Sequence, residues 1–472
     1  MASAAGFVVL VSVGLAFHFS HTKPPRPNII LISIDTLRAD RLGCYGCPTG
    51  TSPHIDAFSR ESVQFMQAIS QAPSTTSSHM SLFTGLLPAV HRVTNWVVLP
   101  GCTRTFKLSG RLGPDIPALA QYLQENGYRT IGLHNGGHVS SNFGFDKGFD
   151  LYTNKLINWG GLNGDFSSFE HIRSQIRLSR DQGKPLFLFL HHYLCHDPYI
   201  KAPESIRRKF LPDPDPGLLI EPPIGDSEKK WPELTKAFWQ AIDGGNPRHR
   251  RQVKALYDAG VNYADLVFGE IVALLKKQGL YDQSLIAVVS DHGEEFWEHG
   301  NTRHAYLFVE TLHVPLLIKF PGGKYGGRKI IPKVGLFDFM PTILEYLRIS
   351  PRLKPQAESL LPLIREEKNS RGRVLSFDDG LQFVRFNRGP FVYSNHGIRG
   401  VRGEWLYNRF ADPRERHNLA GNDRPLLAQM RALAAKIMQD QKNFRVRIKT
   451  VPSGPAEISK DLERQLKALG YL

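Results

Sequence analysis

Two apolar runs in this chain each stop at an aspartate, and the two aspartates lie more than 250 residues apart. One is Asn28-Ile-Ile-Leu-Ile-Ser-Ile-Asp35; the other is Leu285-Ile-Ala-Val-Val-Ser-Asp291-His292-Gly293-Glu294. Brought side by side, Asp35, Asp291 and His292 make a hard-oxygen and imidazole set suited to a divalent cation. Taken singly, each Asp equally fits the cap of a helix that follows its strand. A third stretch, Pro73-Ser-Thr-Thr-Ser-Ser-His79-Met-Ser-Leu-Phe-Thr-Gly85, crowds hydroxyls at its start and then runs in an apolar pattern to a glycine. That order predicts a capped helix N-terminus. Its free N–H groups and positive dipole suit a sulfate or phosphate. A hydroxyl there can act as a metal-bound nucleophile, with His79 one turn along as its partner.

These residues need elements to hold them. Fully apolar runs ending in polar residues are the mark of buried parallel strands, and ligands bind beyond the carboxyl ends of such strands. Strand patterns ending near 35, 134, 190 and 291 alternate with helical stretches such as 115–126 and 252–278. The expectation is an α/β fold, a mixed sheet with helices on both faces. Residues 200–250, rich in Pro, Gly and charge, read as an insertion near the site mouth, and Lys333–Leu347 as the last helix of the main domain. Short strands at 373–377, 391–394, 397–402 and 404–407 with a helix at about 424–440 predict a small C-terminal α+β subdomain. The division expected is 1–26 as signal peptide or short anchor and linker, 27–350 as the catalytic domain, and 351–472 as the subdomain.

Composition sets outer bounds. An apolar share of 41% with 22% charged residues excludes disorder. Four cysteines, at 44, 47, 102 and 195, are too few for a disulfide scaffold, and Cys44-x-x-Cys47 has no second pair to complete a zinc site. The formal charge of +15 favours anionic partners. Its basic residues are dispersed, without an aromatic ladder or nucleic-acid-binding signature, so no nucleic acid is expected. Gly6–Phe19 is an apolar run of 14 residues, short for a membrane span of ~20. It fits a signal-peptide core, and predicts export to a periplasmic or extracellular site. Membrane contact is expected only if this segment stays as an anchor.

Several blocks, in order, resemble the sulfatase-like family of the alkaline phosphatase superfamily. They are Pro27–Gly46, Thr51–Phe58, Thr84-Gly85, Asp115–Thr130, Phe143–Asp150, Ser290–Glu294, His299-Gly300, Val314-Pro315 and Asp412–Ala420. The resemblance covers about residues 27 to 472 and implies an alkaline-phosphatase-like sheet. It also implies a metal-dependent ester hydrolase acting on an anionic small molecule or glycan ester.

The departures from the family pattern decide the expected chemistry. Sulfatases carry a cysteine or serine, oxidised to formylglycine, nine positions before the Thr-Gly pair. Counting back from Thr84 lands on Thr75, with His79 in place of the family's arginine. Threonine's Cβ already bears a methyl, so no formylglycine is expected. A phosphorylated threonine can turn over by a second in-line displacement, whereas a sulfated one needs direct attack by water. Thr75 therefore favours a phosphate or phosphonate ester, while the surrounding sequence says sulfate ester; a non-catalytic binding protein is the third reading. The resemblance implies one divalent ion (Ca, Zn or Mn) on Asp35, Thr75, Asp291 and His292. Thr36 stands where sulfatases often have a second aspartate, which weakens the case for calcium. His191 and His196 fall on the family's two histidines, but Leu194 replaces the aspartate between them, which argues against a second ion. His79, His196 and His304 are expected to act with Thr75 in catalysis, and His191 and Arg303 to bind substrate.

Overall fold

The structure is a computed structural model and describes residues 26–98, 106–155, 167–215, 231–370, 374–378, 380–398, 401–449, 456 and 458–469. The apolar run Gly6–Phe19 lies outside these. Among the described residues no helix is long and apolar enough to cross a membrane.

Eight strands form the main sheet: β1 (Asn28–Ile34), β2 (Val63–Phe65), β3 (Arg129–Leu133), β4 (Leu151–Thr153), β5 (Leu186–His192), β6 (Ser284–Val289), β7 (Leu316–Lys319) and β8 (Lys329–Ile330). Their order is β8-β2-β7-β6-β1-β5-β3-β4. β1 pairs in parallel with both β5 and β6, and β3 continues the parallel set beyond β5, while β7 runs antiparallel to β6. The sheet is mixed, and β1 is its buried centre.

Alternation along β1 explains both faces. Ile29 and Leu31 join a core with Phe187 and Phe189 of β5, under helices α1 (Thr75–Thr84) and α2 (Leu119–Glu125). Ile30, Ile32 and Ile34 join the opposite core with Leu188 and Leu190. That second core is covered by the 31-residue helix α4 (Pro247–Lys277). Because both faces are covered, the strands are apolar throughout.

The insertion carries the helix α3 (Trp231–Ala241). Lys333–Leu347 begins as a two-residue strand, Val334–Gly335, paired with Ala68–Ile69, and becomes α-helical only as α5 (Phe339–Tyr346). The C-terminal region forms a four-stranded antiparallel sheet: β9 (Leu375–Phe377), β10 (Val384–Arg388), β11 (Phe391–Ser394) and β12 (Trp405–Asn408). Helix α6 (Arg424–Ile448) packs Leu427, Met430, Ala434 and Ile437 on it. Gly397–Ile398 and Val401–Arg402 pair with each other as a separate two-stranded ribbon instead of joining this sheet. Helix α7 (Lys460–Ala468) returns to the main body, where Leu462 and Leu466 share a core with Val139.

Candidate active site

The pairing of β1 with both neighbours brings the two aspartates together. Ser33 faces His191 on one side and Val289 on the other, so Asp35 emerges level with the end of β5 and with Asp291 just beyond β6. Backbone and side-chain bonds lock this rim. Asp35 N donates to His192 O at 3.1 Å, Thr36 N to Asp291 Oδ1 at 3.3 Å and Leu37 N to Ser290 Oγ at 2.9 Å. Tyr257 on α4 donates to Thr36 O at 2.7 Å and accepts from Arg38 N at 2.9 Å. Thr36 holds φ +57°, a left-handed conformation that is unusual for a β-branched residue. Tyr199, Trp297 and Arg303 share that backbone region at φ +63°, +61° and +67°. Such strain persists where the surrounding structure over-determines it.

Helix α1 is buried along its whole length and points its first residue at this rim. Thr75 Oγ1 donates to Asp35 Oδ2 at 3.2 Å and stands 3.2 Å from His292 Nε2. His292 Nδ1 lies 2.9 Å from Gly293 O. A carbonyl can only accept, so Nδ1 carries the proton and Nε2 keeps a lone pair toward Thr75. Gly293 admits no side chain, since an added Cβ would collide with the Glu310 carbonyl.

One ligand atom each from Asp35, Asp291 and His292 lies within 4.8 Å of the others. All three residues are fully buried, and Asp35 Oδ1 and Asp291 Oδ2 have no hydrogen-bond partner. Burial, and after it the charge of Asp291, pushes the Asp35 carboxyl well above its ordinary range. Each carboxylate thus keeps one buried oxygen without a partner beside an imidazole lone pair, an arrangement that a cation between them would satisfy. The three donors fit a divalent ion, and the Thr75 hydroxyl lies beside them.

A second wall carries the remaining histidines. His191 Nε2 lies 3.5 Å from Asp35 Oδ2. His196 Nδ1 is 3.0 Å from Asp197 Oδ1, and His304 Nδ1 is 3.0 Å from Glu294 Oε1. The His304 ring sits 4.3 Å from that of His292 and 5.4 Å from that of His196. Asp197 gathers Arg303 Nε at 3.2 Å and Trp239 Nε1 of α3 at 2.9 Å, which ties the insertion to the site. Burial pushes the Glu294 carboxyl up to about 7, helped by the charge of Asp197, and brings His304 down to about 3. Burial would raise Asp197 too, but Arg303 and His196 hold it well below the usual carboxylate range.

Most residues singled out in the sequence therefore meet at one rim: Asp35, Thr75, Asp291 and His292, with His191, His196, His304 and Arg303 around them. His79 stands differently. Its Nε2 is 2.8 Å from Ser33 Oγ and its Nδ1 is 2.9 Å from Thr75 O, so both nitrogens are engaged behind the start of α1. Glu294, Asp197 and His138 escape the sequence reading. Glu294 lies inside a quoted motif and Asp197 adjoins His196, whereas His138 has no local signal. It reaches the site through Thr76, whose hydroxyl donates to His138 O at 2.8 Å.

The sequence model of the sulfatase family matches residues 27–349. An arylsulfatase of Clostridium perfringens is 26% identical over 448 residues, covering 84% of this chain and 91% of that protein. A multifunctional alkaline phosphatase superfamily protein of Trinickia caryophylli is 27% identical over 477 residues, covering 84% and 92%. Among solved structures, the phosphonate monoester hydrolase of Agrobacterium radiobacter superposes with a TM-score of 0.65 at 19% identity. That superposition covers 92% of this chain and 99% of the hydrolase.

Proposed function

The chain belongs to the sulfatase family, and we propose that within it the protein is a metal-dependent hydrolase that cleaves a phosphate or phosphonate ester through Thr75. The observation that carries this reading is Thr75 Oγ1, at the N-terminus of a buried helix and 3.2 Å from both Asp35 Oδ2 and His292 Nε2. Asp35, Asp291, His292 and Thr75 hold the divalent cation. When bound, such an ion supplies Lewis-acid charge that lowers the proton affinity of the Thr75 hydroxyl and neutralises negative charge as it develops.

The chain's own residues do the rest. Asp35 Oδ2 orients the Thr75 hydroxyl through the bond already present, and the hydroxyl proton leaves to water. Thr75 Oγ1 attacks phosphorus in line, the bond to the leaving oxygen breaks, and water releases the phosphoryl group in a second displacement. The N–H groups at the start of α1 face the anionic oxygens. Glu294 fixes the His304 ring through Nδ1, which directs Nε2 outward to serve the leaving oxygen. His196 is fixed in the same way by Asp197, with Arg303 beside it for the substrate's anionic oxygens. His79 is a positioning residue: bonded to Ser33 and to the Thr75 carbonyl, it pins the first turn of α1 to β1. The Gly6–Phe19 run supports an exported enzyme.

A panel of phosphodiester, phosphonate monoester, phosphate monoester and aryl sulfate substrates, each with Mn²⁺, Zn²⁺ and Ca²⁺, tests this. Cleavage of a phosphorus ester, with phosphorus trapped on Thr75 after a rapid acid quench, is the expected result. Turnover of aryl sulfates alone would replace it with the sulfatase reading that the relatives' names favour.

A further inference from the structure

Beyond the residues assigned above, the wall that carries His196 holds a cation that, among the described residues, forms no ion pair with a carboxylate. Lys201 Nζ donates to Tyr193 O at 2.8 Å, its one hydrogen bond among the described residues, and it forms no ion pair there. An ammonium has three donors, so two remain unengaged by the protein. Two aromatic rings wall it in, Tyr193 and Trp231, each 5.8 Å from Nζ. Burial lowers this ammonium to about 8, against the opposing pull of Asp197 and Asp35, so it stays charged at neutral pH.

The position is continuous with the site. The Tyr193 ring packs edge-on against His191 at 4.7 Å and His196 at 5.5 Å. Its hydroxyl donates to Gly136 O and accepts from His138 N, both at 3.2 Å. Trp231 stands on α3, the helix whose Trp239 bonds Asp197 and lies 5.1 Å from the Arg303 guanidinium. The insertion helix thus lays one indole against each of two cations flanking Asp197. Arg303 is held to Asp197 through Nε and is assigned above to the oxygens of the reacting group. Lys201 retains two donors for a further ligand.

We propose that Lys201, walled by Tyr193 and Trp231, binds a second anionic group on the organic part of the substrate, so that esters with an anionic leaving group are preferred. This rests on the ester-hydrolase reading above. The ligand chemistry is an oxyanion, a carboxylate or a second sulfate, seated on an ammonium between two ring faces.

The test uses the full-length enzyme and aryl esters identical except for a neutral, carboxylate or sulfate substituent, set one to three methylenes from the ring of the leaving group. Both phosphorus and sulfur ester series are run. An anionic member should exceed the neutral one in kcat/KM by about tenfold. Lys201→Met should abolish that ratio through KM, and Lys201→Arg should restore it. A ratio unchanged in Lys201→Met overturns the proposal. So does an equal fall in kcat for neutral and anionic esters, which would place the ammonium on the reacting group or in the fold. If neither ester series turns over, the hydrolase reading fails on its own. The subsite is then read from quenching of tryptophan fluorescence by the free anionic and neutral alcohols: equal binding of the two to wild type, or to Lys201→Met and wild type, sinks it.

Discussion

Buried carboxylates are handled in opposite ways beside the C-terminal sheet and at the rim of the main sheet. Glu415, fully buried beside the C-terminal sheet, is gripped by both terminal nitrogens of Arg385 and by Arg409 Nη1 at 3.0 Å. Asp35 and Asp291 are equally buried, yet among the described residues no arginine or lysine pairs with them. Their neighbours are a threonine hydroxyl, a backbone N–H and imidazoles whose proton affinity burial lowers. Taking a carboxylate out of water carries a penalty of several kcal/mol per ion. At Glu415 the protein supplies its own counter-charge, and the result is a structural joint between β10 and the loop after β12. At the main rim no arginine or lysine among the described residues supplies one, and Asp35, Asp291 and His292 form a donor set that fits a cation.

The sharpest way to break this contrast is to remove the proposed nucleophile. Thr75→Ala should lower kcat/KM by at least about a thousandfold while leaving the unfolding midpoint of the metal-stripped protein unchanged. A variant as active as wild type would end the proposed mechanism. Next, Asp291→Ala should abolish bound metal, measured by elemental analysis, together with activity. Chelation should lower the melting temperature of wild type and leave that of the variant unmoved. The opposite behaviour is expected at Glu415. Glu415→Ala leaves Arg385 buried without its partner and should cost about 3–5 kcal/mol in denaturant unfolding, with metal content retained. Burial alone would raise the Glu415 carboxyl, but Arg385 and Arg409 pull it down to about 2 from an ordinary 4.5. Its contribution, on the order of 3 kcal/mol, is therefore complete above about 4.5 and lost as pH falls toward 2. Subtracting the acid-unfolding curve of Glu415→Gln from that of wild type measures it. The smallest effect expected is in Thr75→Ser, which keeps the hydroxyl and should stay within about tenfold of wild type in kcat/KM.

How much of this was legible in the sequence depended on distance along the chain. Asp35, Asp291 and His292 were readable because each closes an apolar strand, and strand ends share a rim once the sheet is parallel. Thr75 was readable by its spacing from Thr84-Gly85. The partners that orient the histidines were not. Glu294 and His304 face each other across a hairpin, and Trp239 meets Asp197 from an insertion, so neither contact leaves a periodic trace. His79 was placed by sequence as a group facing the substrate. In the helix, however, a residue four along from Thr75 bonds that residue's own carbonyl, which turns the ring toward Ser33 on β1. Lys333–Leu347 was read as one helix because its apolar spacing is continuous; a strand partner at Ala68–Ile69 claims the first residues, as tertiary pairing often overrides local preference.

The placement of β1 has a consequence for how the protein is made. As a central strand paired in parallel on both sides, it meets nothing close to it in sequence: β5 begins at Leu186 and β6 at Ser284. At ribosomal speeds of roughly 5–20 residues per second, the nascent Ile29–Ile34 segment waits on the order of ten to fifty seconds before β6 is synthesised. During that interval it is an unpaired, adhesive edge. Traffic through chaperones, and sensitivity of the yield to the rate of translation, belong to this topology as much as its rim of aspartates does.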